Sequence, residues 1–322
     1  MTKVLVSRRW PAAVEAQLKA DYDVTLNDSD EPMGVDAFRA ALMEYDAVCP
    51  TVTDKMGAEV FEGLDSPRCK ILGNFGVGYT HIDVDAARAA GMTITNTPDV
   101  LSDCTADIAL TLMLMASRRA GEGERELRAG NWTGWRPTHL VGTKMTGKTL
   151  GIIGFGRIGQ ETAKRAHHGF GMKIAVQNRS QVKPEILAET GAIQVGSVAE
   201  LLPQVDYLSL HCPGGDANRD LISTEELKAM KSSAILINTA RGEVVNDAAL
   251  IEALKSGEIA AAGLDVFDGE PNLNAGYLAC ENAVLLPHLG SATAETREGM
   301  GFRVLDNLKA FFEGKTPPDK VA

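Results

Sequence analysis

Residues that can bind an anion and move a proton follow three successive predicted strands near the end of the chain. Arg241 follows the first of these apolar runs, Asp265 and Glu270 follow the second, and His288 follows the third. Because ligands of parallel sheets bind beyond the carboxyl ends of strands, we expect these side chains at one sheet edge. There an arginine can bind a carboxylate, a histidine can exchange a proton, and a carboxylate can hold the imidazole charged.

Each of these residues also has a purely structural interpretation. Arg241 could be a surface charge before a helix, Glu270 a turn residue, and His288 a hydrogen-bonded loop histidine. Their common place at strand ends favours the functional interpretation. His211 ends a strand as well, but the loop after it, which includes Pro213, is interpreted as lying beside a cofactor.

A glycine motif in mid-chain indicates which cofactor chemistry lies at that edge. A strand-like apolar run leads directly into Gly-x-Gly-x-x-Gly, and a helical pattern follows. The first glycine permits a tight turn, the second lets the backbone approach a pyrophosphate, and the third allows close helix–strand packing. The helix start offers unpaired N–H groups to the phosphates. The expected cofactor contacts are Gly154, Gly156, Arg157, Ile158 and Gly159.

The end of the next predicted strand bears on which dinucleotide binds. An NAD site usually has Asp or Glu about 20 residues past the glycines, where it accepts from the ribose hydroxyl. This chain has Asn178, Arg179 and Ser180 there. Because arginine grips phosphate with two charge-assisted hydrogen bonds, we predict NADP(H). NAD(H) remains the alternative if Arg179 is only a solvated loop residue. With a nicotinamide beside them, the strand-end arginine, histidine and carboxylate would suit reduction of a 2-oxo acid.

The composition is that of a globular enzyme and disfavours several other classes. The 322 residues are enough for two domains, with 44% apolar and 23% charged residues. A net charge of −11 argues against nucleic acid and anionic membranes as partners. No apolar run reaches transmembrane length, and the first residues are interpreted as a strand, not a signal peptide. The five scattered cysteines lack metal-ligand spacing, so we expect reduced thiols, no metal and a cytoplasmic location.

Strand and helix patterns alternate from end to end, which predicts parallel sheets covered on both faces. The mid-chain glycine motif implies that a dinucleotide domain begins near residue 100, after a separate α/β unit. A long helix is predicted over about Val100–Leu127, and a polar loop after it contains Trp132 and Trp135. Large aromatic residues in such a loop either cover a core or anchor an interface, and we favour a subunit interface.

These motifs resemble those of the D-isomer-specific 2-hydroxyacid dehydrogenases and, within them, are most similar to the glyoxylate/hydroxypyruvate reductases. The resemblance runs over nearly the whole chain. It is carried by residues 74–79, 96–107, 154–159, 238–242, 268–271 and 286–288. It implies an α/β protein with two Rossmann-like or flavodoxin-like parallel-sheet domains and an active site in the cleft between them. The expected domains are a split substrate-binding domain, 1–98 plus 290–322, and a dinucleotide-binding domain, 99–289.

The resemblance also implies roles for particular residues. Arg241 would bind the carboxylate and carbonyl of a small 2-oxo or 2-hydroxy acid, and His288, paired with Glu270, would be the acid–base group. The backbone amides of Val77 and Gly78 would hold the substrate carboxylate.

Further contacts and a dimer are implied by the same resemblance. Thr105 would touch the cofactor, while Asp265 and the carbonyl of Ala240 would meet the nicotinamide amide. A homodimer through the 100–145 region is expected. The segment around Val52 and the loop Thr138-His139-Leu140 differ from the usual reductase pattern, and both are expected near the substrate.

Two alternatives to a glyoxylate/hydroxypyruvate reductase remain open. The nearer is another enzyme of the same family, acting on D-lactate, phosphoglycerate or a bulkier 2-oxo acid. Formate dehydrogenase is disfavoured because Glu270 stands where glutamine is expected. The distant alternative is a non-enzymatic, corepressor-like binding protein of the same fold.

Overall fold

The described residues, 1–321 of a computed structural model, form two compact units. The first comprises Met1–Leu101 and the segment that begins at Ala292, and the second comprises Ser102–Ser291. The strands are β1 Lys3–Val6, β2 Asp23–Thr25, β3 Ala47–Cys49, β4 Ile71–Gly73, β5 Thr93–Thr95, β6 Thr149–Ile153, β7 Lys173–Gln177, β8 Ile193–Gln194, β9 Tyr207–Leu210, β10 Ile235–Asn238, β11 Ala261–Leu264 and β12 Ala283–Leu285. The helices are α1 Ala12–Asp21, α2 Val35–Glu44, α3 Ala58–Phe61, α4 Val84–Ala89, α5 Ser102–Ser117, α6 Ala120–Arg128, α7 Arg157–Phe170, α8 Pro184–Ala188, α9 Val198–Leu201, α10 Thr224–Ala229, α11 Asp247–Ser256 and α12 Ala294–Phe312.

The first unit is built on a parallel sheet with the strand order β2-β1-β3-β4-β5. Its short central strands are buried and apolar, as expected for a sheet covered on both faces. The late helix α12 packs against α1 and β4. Gly73 allows this contact, since a Cβ there would lie 2.7 Å from a methyl of Val304. The chain then pairs with β5, where Val321 N–H donates to Ile94 O at 2.8 Å.

The second unit is a doubly wound parallel sheet with the order β12-β11-β10-β9-β6-β7-β8. The strand order reverses beside β6, so the crevice for a ligand lies at the carboxyl ends of β6 and β9. Helix α5 packs on β10, β11 and α7. Gly263 admits this helix closely, because a Cβ there would lie 2.8 Å from Leu112 Cβ. The prediction of two parallel-sheet α/β domains is confirmed.

The long helix predicted over about Val100–Leu127 is wrong as a single element. It divides into α5 and α6 at Arg119, whose φ of 52° is left-handed. The carbonyl of Ser117 accepts from Thr143 N–H at 2.9 Å, so it is not available to the next turn of helix. The two-residue edge strand β8 had no apolar run to predict it.

Candidate active site

The catalytic candidates lie together at the carboxyl edge of the second sheet. Arg241 follows β10, Asp265 follows β11 directly, and His288 comes shortly after β12. These three strands are neighbours in the sheet. Within this unit, the three residues therefore lie at one edge of the sheet, as their positions after predicted strands indicate.

His288 and Glu270 form a half-buried pair. Nδ1 of His288 lies 2.8 Å from Oε2 of Glu270, with side-chain exposures of 33% and 26%. The other carboxylate oxygen accepts from the Phe267 N–H at 2.9 Å. Burial opposes ionisation of Glu270, but the hydrogen bond and charge of His288 and the Phe267 N–H together lower the pKa of the Glu270 carboxyl. A carboxylate fixed in this way directs the Nδ1 proton of the histidine towards itself and leaves Nε2 for a reactant.

Asp265 builds the turn that carries the histidine. Its carboxylate oxygens accept from the N–H groups of Leu289 at 2.6 Å and Gly290 at 2.8 Å. Its backbone carbonyl accepts from the His288 N–H at 2.9 Å. These bonds hold His288 in the left-handed region, with φ 54°. Burial raises the pKa of the Asp265 carboxyl, and the two backbone donors oppose that effect.

Arg241 is held in a turn that Asn238 organises. The side chain of Asn238 accepts from Ala240 N–H at 3.0 Å and donates to Arg241 O at 2.9 Å. The guanidinium donates to Ala240 O at 2.6 Å. Burial lowers the pKa of the Arg241 guanidinium, and the nearby charges of Glu243 and Glu270 partly offset this. Since arginine remains charged under all ordinary conditions, the site holds a poorly solvated cation that can bind an anion.

His211 shares the strand-end position but lacks a carboxylate. Its nitrogens lie 2.9 Å from Ser209 Oγ and 3.4 Å from Thr239 Oγ1. Burial lowers the pKa of His211 to about 3. This histidine is therefore neutral at physiological pH, which separates it chemically from His288.

The glycine motif forms a tight turn between β6 and α7. Gly154 has φ 91°, and a Cβ there would lie 2.5 Å from the backbone nitrogen of Cys212. A Cβ on Gly159 would lie 2.5 Å from Gly154 O, so the helix packs directly on the turn. Gly156 instead faces open space. This opening lies at the amino end of α7, where Arg157 and Ile158 stand, and the positive end of a helix dipole there fits a pyrophosphate.

The segment after β7 presents a cation and two neutral residues. Asn178 accepts from Phe155 N–H at 3.1 Å and donates to Ser180 Oγ at 3.1 Å, which joins this segment to the glycine turn. The Arg179 side chain is exposed, and no acidic residue within 1–321 forms an ion pair with it. A cation beside a dinucleotide turn fits a phosphate on the adenosine ribose.

Two more of the expected cofactor contacts lie within the second unit. Thr105, on α5, donates to Gly290 O at 3.2 Å and so joins the turn held by Asp265. Pro213 is exposed and follows β9, and its carbonyl accepts from Asn218. The residues Val52, Val77 and Gly78 belong to the first unit. There a Cβ on Gly76 would lie 2.4 Å from Val52 Cγ1, so the loops that contain these residues touch.

Sequence reasoning missed the residues that support the site. Asn238 lies within one of the sequence motifs without a role predicted for it, and the Phe267 N–H could not be predicted because a backbone N–H leaves no compositional signal. An asparagine at a strand end, just before a charged residue, is the pattern that could have indicated the turn.

The second unit also contains a cavity at the opposite edge of its sheet. This cavity of about 520 Å³ is lined in part by Arg119, Lys148, Asp206, Ile235 and Glu281. The lining residues that belong to the sheet lie at the amino ends of its strands, so the cavity is distinct from the candidate active site. Over residues 1–321 there is no cluster of His, Cys, Asp and Glu suited to a metal. No helix in the same range has the length and apolarity needed to cross a membrane.

The fold is that of a known dehydrogenase class. Residues 110–290 match the family described as D-isomer specific 2-hydroxyacid dehydrogenase, NAD binding domain. The chain belongs to the D-isomer-specific 2-hydroxyacid dehydrogenases and is an enzyme of that class.

Particular relatives are similar over nearly their full length. Glyoxylate reductase from Thermococcus litoralis is 45% identical, across 99% of this chain and 96% of that protein. The crystal structure of a glyoxylate reductase from Paecilomyes thermophila has a TM-score of 0.88 at 35% identity, covering 99% of this chain and 98% of that one. An NADPH-dependent glyoxylate/hydroxypyruvate reductase from Sinorhizobium meliloti, in complex with NADP and malonate, has a TM-score of 0.88 at 33% identity, covering 100% and 97%.

Proposed function

We propose that this enzyme reduces a short 2-oxo acid of the glyoxylate/hydroxypyruvate type to the D-2-hydroxy acid, with NADPH as the preferred reductant. The observation that carries the proposal is the His288–Glu270 pair at 2.8 Å, beside Arg241 at the carboxyl edge of a dinucleotide-type sheet. The relatives named as glyoxylate reductases support the substrate class.

In this proposal His288 is the acid of the reduction. Glu270 stabilises the charged imidazole through Nδ1, and the Nε2 proton passes to the carbonyl oxygen of the substrate. When bound, the reduced nicotinamide supplies the hydride for the carbonyl carbon. The products are the hydroxy acid, the oxidised cofactor and a neutral histidine, which takes a proton from solvent before the next turnover.

Arg241 binds the substrate carboxylate and polarises its carbonyl. Its guanidinium is poorly solvated, which strengthens its attraction to an anion. In the first unit, the backbone amides of Val77 and Gly78 are proposed to donate to a substrate carboxylate, and Val52 is proposed as a further substrate contact.

The proposed contacts with the phosphates of the cofactor lie in the second unit. The Gly154–Gly159 turn would hold the pyrophosphate, while Arg179, with Asn178 and Ser180, would hold the 2′-phosphate of NADP(H). The relative from Sinorhizobium meliloti, named as NADPH-dependent, supports this choice. NAD(H) would bind without the phosphate contact.

The nicotinamide end has its own expected contacts. Asp265 and the carbonyl of Ala240 would meet its amide, with Thr105 and Pro213 alongside. Both Asp265 oxygens already accept a backbone N–H, and each retains a second lone pair for a ligand.

The enzyme is proposed to act as a cytoplasmic homodimer joined through the 100–145 region. Trp132 and Trp135 are 53% and 82% exposed, and Leu127 and Val141 are more than half exposed. Such a group of exposed apolar side chains is typical of an interaction surface. Sedimentation of the wild type and of Trp135→Ser tests this point, since only the variant should yield monomer at micromolar concentration.

Initial rates of NADPH and NADH oxidation with glyoxylate, hydroxypyruvate, pyruvate and phenylpyruvate test the proposal as a whole. Faster NADPH oxidation with the two short acids is the expected result. Faster turnover of phenylpyruvate, or preference for NADH, would place the enzyme elsewhere in the same family. Absence of turnover with all four acids would contradict the proposed reaction.

A further inference from the structure

The loop after β4 has each of its carbonyls held by a side chain or by a neighbouring loop. The side-chain amide nitrogen of Asn74 donates to Gly76 O and to Gly78 O, both at 3.0 Å. The side-chain nitrogen of Asn96 donates to Val77 O at 2.9 Å. Two asparagines therefore fix the carbonyl groups of three successive residues. We call these residues, 76–78, the amide loop.

Fixing these carbonyls also fixes the N–H groups of the loop. In a planar trans peptide, the carbonyl of one residue and the N–H of the next point in opposite directions. The carbonyls of Gly76 and Val77 therefore set the directions of the Val77 and Gly78 N–H groups. Within residues 1–321, neither of these N–H groups donates to another protein group. Val77 and Gly78 are half-buried, so a ligand can reach them.

The two asparagines are themselves firmly placed. Asn74 is fully buried, and its Oδ1 accepts no hydrogen bond from residues 1–321. A buried acceptor without a hydrogen bond costs folding free energy. The hydrogen bonds that Asn74 makes in the loop are therefore those donated by its side-chain nitrogen. The backbone of Asn96 donates to Asp319 O at 3.3 Å and accepts from Asn307 Nδ2 at 3.4 Å. Loss of the Asn96 side chain would therefore leave its backbone anchored.

We propose that Asn74 and Asn96 are positioning residues for substrate binding. By holding the carbonyls of the amide loop, they direct the N–H groups of Val77 and Gly78 towards the substrate carboxylate. This inference rests on the proposed function, because it takes the loop to be the carboxylate cradle. Preorganised donors lower the cost of binding an anion, since they do not need to be oriented when it arrives.

The test compares three variants of the full-length enzyme. Asn96→Ala removes one hydrogen bond to the loop, and Asn74→Ala removes two. Asn282→Ala is the matched control, because its side chain also donates to two carbonyls, those of Leu254 and Ala260, both at 3.1 Å. That asparagine lies at the amino edge of the second sheet, in a different compact unit from the loop.

The measured quantities are the KM for glyoxylate, the dissociation constant of oxalate with NADPH bound, and the melting temperature. Asn96→Ala should raise both substrate-side constants roughly three- to tenfold, the effect of one neutral hydrogen bond. Asn74→Ala should raise them further. The dissociation constant of NADPH should stay within twofold in both, and Asn282→Ala should lower the melting temperature without changing any of these constants.

If the wild type is active and folded Asn96→Ala has an unchanged KM and an unchanged oxalate affinity, the positioning role is overturned. The proposed function would still stand. The same result decides the matter if Asn74→Ala does not fold. An equal rise in Asn282→Ala would also overturn it, since the effect would then be general destabilisation. A wild type that neither reduces glyoxylate nor binds oxalate would instead remove the proposed function, and the inference with it.

Discussion

Replacing His288 with asparagine tests the proposed acid while leaving the backbone in place. His288 has φ 54°, a left-handed conformation that asparagine tolerates and alanine does not. Alanine there would cost about 1–2 kcal/mol of folding free energy. The turn itself is held by Asp265 through backbone groups that the substitution does not remove.

The expected loss is that of a general acid. Removing such a group typically lowers turnover by about 10²–10⁴, and the half-buried carboxylate partner is consistent with that range. This corresponds to about 3–5 kcal/mol of transition-state stabilisation. His288→Asn should therefore lower kcat for glyoxylate reduction by that factor, with little change in the dissociation constant of NADPH.

The assay is steady-state NADPH oxidation, with cofactor binding measured separately by fluorescence. His288→Ala serves as the paired variant: it should lose as much turnover as His288→Asn and be the less stable of the two. A folded His288→Asn enzyme that retains more than a tenth of wild-type kcat would refute the assignment. Equal stability of the two variants would contradict the argument from the left-handed backbone.

Three further predictions concern the carboxylate partner, the 2′-phosphate and two glycines. Glu270→Gln should lower kcat for reduction, because the charged imidazole of His288 loses its carboxylate partner; an unchanged kcat contradicts the pairing. Because the pKa of Glu270 is lowered in the folded state, this carboxylate stabilises the fold at pH values above its unfolded pKa. That stability is lost as the pH falls through the folded pKa. The free energy of unfolding of Glu270→Gln should therefore depend less on pH in the acid range. Arg179→Ala should raise the KM for NADPH roughly tenfold or more and spare NADH; equal effects on both would exclude a phosphate contact. Gly242→Ala should unfold at lower denaturant because its Cβ would lie 1.9 Å from a backbone carbon, whereas Gly156→Ala should fold normally but bind NADPH weakly.

Much of the second unit's active edge could be predicted from sequence because parallel strands obey simple rules. Arg241, Asp265 and His288 each follow a buried apolar strand, and the carboxyl ends of parallel strands share one edge. The glycine spacing likewise predicts a turn, an opening and a close packing contact. In each case a short local pattern determines the geometry.

What the sequence did not predict depends on contacts between distant segments. At the break between α5 and α6, the Thr143 N–H donates to the Ser117 carbonyl. No residue type near Arg119 predicts this break. The left-handed conformation of His288 depends on Asp265, more than twenty positions earlier along the chain. Burial that makes His211 neutral is also a property of the packed unit and not of its neighbours in sequence.

The return of the chain to the first unit has a consequence for synthesis on the ribosome. Strands β1–β5 are all translated before residue 101. Helix α12, which packs on their sheet, and Val321, which pairs with Ile94, are translated only at the end. The second unit is contiguous, so all of its sequence leaves the ribosome before α12 does. Domains generally fold as units during translation, so β1–β5 must wait for α12 until the second unit has been made. Nascent β1–β5 would therefore expose the apolar surface that α12 covers until that helix has been made.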